Sequence, residues 1–150
     1  MTTLWQALDA HLTAAGASID GVRFAGVGDV ADIDTAPLPA VLVMGNDAQL
    51  GAGSHGDGAV HREASYRYAL LGFAEGPGFA AAKRAAQALV PSLEAIAYAP
   101  ALAALAGDDG ERVQLVEPGE ATISLYLKQA GVNQKHIGVA AVTFTVEAAR

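Results

Sequence analysis

Ala59-Val-His-Arg-Glu-Ala-Ser-Tyr-Arg-Tyr-Ala-Leu-Leu-Gly-Phe-Ala74 decides how the chain folds. Tyr66, Tyr68 and Leu70 alternate with Ser65, Arg67 and Ala69, a period of two among strong β-formers. Sixteen extended residues would span about 50 Å. A domain of this length has a radius of gyration near roughly 15 Å. The strand must therefore bend, carry a bulge or project as an arm.

Upstream, Leu38-Pro-Ala-Val-Leu-Val-Met44 is a nearly continuous apolar run marked by Pro39 and Gly45, the pattern of a buried strand. Residues 45–58 carry five glycines (Gly45, Gly51, Gly53, Gly56 and Gly58) without periodicity and read as a long loop. A weak strand is expected over residues 22–27, then an acidic loop over 29–34. Residues 3–15 read as an amphipathic helix with Leu4, Leu8 and Leu12 on one stripe. Thr3 and Gln6 have capping-box spacing, and Gly16 supplies a stop.

Downstream, Gly76-Pro-Gly78 breaks the strand and residues 79–89 form an alanine-rich helix. Pro91 and Pro100 divide the next stretch into short helical turns over 92–97 and 101–106. A turn at 107–110 leads into strands over 112–117, 122–129 and 137–148, the last two joined by a tip at 131–136. Ile123, Leu125 and Leu127 share one face, and Val142, Phe144 and Val146 share another. The order is α-β-β-β-α-β-β-β. Short links between strands predict antiparallel pairing with helices on the sheet, a single α+β domain over residues 1–150.

Of the 150 residues, 52% are hydrophobic and only 17% charged, against about 25% charged in ordinary soluble domains. Some apolar surface should then be covered by a partner. Nine Lys and Arg against sixteen Asp and Glu leave a net charge of -7, which argues against a nucleic-acid footprint. The absence of cysteine removes disulfides, thiolate metal sites and thiol nucleophiles. The amino terminus shows no leader pattern and no stretch has membrane-helix length, so a cytoplasmic protein is expected.

Gly51, Gly53 and Gly56 fit a dinucleotide-binding spacing, but a strand follows where that motif opens a helix. Ser54, flanked by Gly53 and His55-Gly56, approaches the nucleophile elbow of hydrolases, with Asp108 or Asp109 and then His136 following in chain order. The elbow needs a strand, a tight turn and a helix, which this loop lacks. A serine hydrolase using Ser54 and His136 is the alternative reading, and an oligomeric ligand-binding module a third. His55, Asp57 and His61 read as solvated loop residues, and no metal, cofactor or catalytic residue is assigned. Arg62, Tyr66, Arg67 and Tyr68 form the one basic-aromatic cluster. With Lys135 and His136 at the hairpin tip, they are the candidate subunit interface, since interfaces favour tyrosine and arginine.

A short amino-terminal helix, the run Pro39-Ala-Val-Leu-Val43, a glycine-rich excursion, the arginine-tyrosine strand over 62–71, a helix to Leu89 and a closing pair ending Val142-Thr-Phe-Thr-Val146 form a layout. That layout resembles the tail-terminator (tail-completion) proteins of tailed bacteriophages and prophages. The resemblance implies a structural protein without catalytic residues. It would form a homo-oligomeric ring, commonly hexameric, that caps the tail tube and meets the head connector. It also implies residence in the host cytoplasm during virion assembly and then in the tail.

Overall fold

The computed structural model describes residues 1–28, 35–54, 60–130 and 133–150, and the acidic loop, His55 and Asp57 lie outside them. The fold is α+β. Helix α1 (Leu4–Ala17) precedes strands β1 (Phe24–Val27), β2 (Ala40–Ser54) and β3 (Val60–Gly76). Helices α2 (Phe79–Ala97) and α3 (Pro100–Ala103) lead to β4 (Arg112–Ala130) and β5 (Asn133–Ala149). Among the described residues five strands form one sheet in the order β1-β2-β3-β5-β4. It is mixed rather than wholly antiparallel, because β1 runs parallel to β2 while every other pair is antiparallel.

The start of α1 follows its sequence signal. The Thr3 hydroxyl accepts from the Gln6 backbone N–H at 3.2 Å, and the Gln6 side chain accepts from the Thr3 N–H at 3.0 Å. Its end does not. Gly16 lies inside the helix, and a Cβ there would sit 3.0 Å from Val41 Cγ1, so the glycine serves close packing on β2. Leu4, Leu8 and Leu12 are buried against the sheet.

Three further expectations give way to tertiary structure. Residues 45–54 are not loop but the second half of β2, paired from Asp47↔Arg67 to Ser54↔Val60 beyond an irregularity at Gly45/Asp47. Pro91 does not end a helix: α2 runs through it to Ala97, holding Ala82, Ala86, Leu93, Ile96 and Ala97 in the core. Burial of that face outweighs the lost backbone hydrogen bond and ring clash of about 3 kcal/mol. The expected strands over 112–117 and 122–129 are one strand, β4, whose register shifts between Pro118 and Ala121. The carboxy-terminal half therefore has two strands, not three.

All three helices lie on one face, where Tyr66, Tyr68 and Leu70 of β3 and Val142, Phe144 and Val146 of β5 meet the leucines of α1 and the apolar side of α2. The other face carries a smaller cluster of Leu42, Leu71, Phe73 and Ile137, packed against Leu38 and Tyr126. Both faces of the central strands are thus apolar, as strands covered on both sides read.

Candidate subunit interface

The long hairpin of β4 and β5 pairs from Arg112↔Ala149 to Ala130↔Asn133. The last partner of β3 on β5 is His136, so the hairpin end passes beyond the sheet's centre. On its other side β4 has no strand among the described residues. Its start is sheltered: Ala106 bridges Arg112, and the Val113 N–H donates to the Leu105 carbonyl at 3.2 Å. Pro118, which lacks an N–H, and the bulge at Gly119-Glu120 interrupt its middle. Glu120 N–H donates to the Thr143 hydroxyl at 2.8 Å and fixes that bulge on the helix-free face.

Residues 121–130 have no such device, and they keep regular register with β5. Ala121, Ile123, Leu125 and Leu127 project on the helix face, because they oppose Val142, Ala140, Gly138 and His136. Leu125 is 41% and Leu127 47% exposed. Beside them the Phe79 ring, itself exposed, meets His136 edge-on at 4.7 Å. An apolar recess of about 280 Å³ lies nearer the start of β4, between Tyr98, Ala99, Pro100 and Ala103 on one side and Gln114, Leu115 and Val116 on the other.

The residues singled out in the sequence fall in different places. Tyr66 and Tyr68 are 2% and 1% exposed. They therefore face the interior of their own chain and leave the candidate interface. Burial forces each hydroxyl to find a partner: Tyr66 donates to Glu111, and Tyr68 donates to Asp9 Oδ1 at 2.7 Å. Glu111 is itself buried. Tyr68 also stacks on Phe144 with centroids 5.7 Å apart, and Tyr66 lies 5.4 Å from Trp5. Arg67 is exposed on the opposite face. Arg62 opposes Ala52 near the end of the β2–β3 hairpin. Lys135 forms an ion pair with Glu75 at 3.4 Å. Of the six, Lys135 and His136 lie near the open half of β4; the two arginines do not.

Ser54 and His136 are not brought together. Ser54 opposes Val60 and His136 opposes Gly76, the first and last residues of the 17-residue β3. Those positions are about 50 Å apart along an extended strand. Among the described residues no group of three His, Cys, Asp or Glu is arranged to hold a metal ion. No helix is long and apolar enough to cross a membrane.

Burial, reinforced by the hydrogen bond to Asp9, pushes the Tyr68 phenol well above the ordinary tyrosine range. The folded state therefore keeps a proton that the unfolded chain releases near pH 10. The Tyr68 contribution to stability is complete below that pH and declines above it. Its slope approaches about 1.4 kcal/mol per pH unit. Urea midpoints should fall as the pH rises above about 10, and Tyr68→Phe should flatten the decline; equal slopes in both proteins would reject this assignment.

The alternation of Ile123, Leu125 and Leu127 assigns them to one face but carries no sign that this face is uncovered. Alternation reports which residues share a side, not what lies against it. No protein-family model matches the chain, and no curated protein matches it.

Proposed function

We propose that this chain is a structural subunit of the phage tail-terminator type, which assembles with copies of itself into a ring on the end of a tail tube. The ring halts tube growth and offers its other face to the head connector. The observation that supports this reading most is the open second half of β4. It is an uninterrupted strand edge flanked by exposed Leu125 and Leu127. Such an edge is a liability in a solitary protein and a template for pairing in an assembling one. The net charge of -7 also suits a passage through which DNA slides without adhering.

The reading is tested by light scattering together with electron microscopy of the purified protein, alone and mixed with tail tubes. Discrete rings, free or seated on tube ends, are the expected result. A monomer that neither binds tubes nor changes their length would contradict it.

A further inference from the structure

We infer that residues 120–128 of β4 pair antiparallel with the same segment of a second copy, about a two-fold axis through Ser124. The inference rests on the reading above that the chain associates with copies of itself, and it names a contact of the free protein distinct from the contact within the ring. Residues directly opposed in an antiparallel pair point to the same face, so a two-fold pairing must centre on a residue. Centring on Ser124 sets Glu120 opposite Lys128 twice, Ile123 opposite Leu125 twice, and Ala121 opposite Leu127 twice. Thr122 then faces Tyr126. By alternation from Ala121, and with the Glu120 N–H held on Thr143, the charged pairs fall on the helix-free face, and the apolar pairs fall on the helix face, where Leu125 and Leu127 are exposed.

Neighbouring registers lose this match. Centred on Ile123, Lys128 meets Pro118 and Glu120 meets Tyr126. Centred on Leu125, Lys128 meets Thr122 and Glu120 meets Ala130. Centres at Thr122 and Tyr126 likewise leave neither charge opposite its complement. The Lys128 ammonium carries three donors, so the carboxylate of a second copy adds to its contacts within the chain.

Residues 121–128 of this segment are also the ones left unguarded, since Leu105-Ala106 and Pro118 protect the start and middle of β4; Glu120 is the last residue of the bulge, held by its N–H on the Thr143 hydroxyl. In a ring whose two faces differ, neighbours meet head-to-tail. The two-fold pair therefore belongs to the free protein, before it meets a tube.

The chain has no cysteine, so one introduced thiol reports the contact. Opposed Cα atoms in an antiparallel pair lie about 4.5–5.5 Å apart, within disulfide reach. Ser124→Cys should therefore oxidise readily to a covalent dimer. Thr122→Cys should not, because its counterpart lies about 13 Å along the strand. In light scattering Lys128→Glu should weaken the dimer about tenfold, by setting two pairs of like charges together. Adding Glu120→Lys to it should restore the dimer. Equal cross-linking of the two cysteine variants, or no rescue by the double reversal, would overturn the contact. Rings or tube binding that persist without that cross-link would retire this contact and leave the assembly role standing. A monomer without tube binding would retire both.

Discussion

Replacing Gly138 with valine is expected to lower stability by about 3 kcal/mol or more, seen as a large fall in the urea midpoint. Gly138 lies on β5 directly beneath α2. A Cβ there would collide with the Ala82 carbonyl oxygen and lie 2.9 Å from Ala86 Cβ. Two glycines of β3 continue the seat. A Cβ at Gly76 would sit 2.6 Å from the Ala82 nitrogen, and one at Gly72 would sit 2.9 Å from Leu89 Cδ1. At Gly138 and Gly76 the obstacle is helix backbone, which cannot rotate aside as a side chain can. The whole helix would have to lift, opening the core that Leu93 and Ile96 fill. A midpoint unchanged from the parent would mean that α2 does not rest on the sheet this closely.

Tyr66→Phe should cost about 2 kcal/mol, because it removes the hydroxyl that donates to a buried carboxylate while leaving the ring in place. Glu111 sits just before β4, so this bond ties the central strand to the segment that launches the edge strand. The Gly107 N–H donates to the Glu111 carbonyl at 2.8 Å, and the Glu111 N–H donates to Asp109 at 3.0 Å. The turn is thus held by its own backbone as well. The loss should appear as a lower denaturation midpoint with an unchanged dependence on denaturant, since the exposed surface is the same in both proteins. A variant as stable as the parent would show that the Glu111 side chain is satisfied without Tyr66.

The elements that obeyed local rules were legible in the sequence. Thr3 and Gln6 announce α1, Gly76-Pro-Gly78 announces the start of α2, and strict alternation announces the core halves of β3 and β5. What escaped depends on partners distant in the chain. The glycine-rich half of β2 has little strand propensity of its own, and its extended form comes with pairing to β3. Pro91 would end an isolated helix, yet Leu93, Ile96 and Ala97 beyond it are buried in the core. Pro118-Gly119 looks like a strand terminus but is absorbed as a bulge opposite Thr143.

The burial of Tyr66 and Tyr68 escapes local rules for a related reason. Tyrosine with arginine on a strand suggests a contact surface, but alternation assigns Tyr66 and Tyr68 to one side without saying which side is wet. Their acceptors, Glu111 and Asp9, lie 45 and 59 positions away in sequence. Nothing local to the strand reveals that both hydroxyls are satisfied indoors. The apolar excess pointed to partner-covered surface, and exposed Leu115, Leu125 and Leu127 on one edge strand are where part of that excess sits.

Amide hydrogen exchange at dilute and concentrated protein, read residue by residue along β4, tests most directly whether copies meet at this edge. Outward-pointing amides within residues 121–128 should exchange quickly when dilute and become protected on concentration, while Arg112 to Glu117 change little. Fast exchange at every concentration, or protection that rises elsewhere and not at residues 121–128, would contradict such a contact.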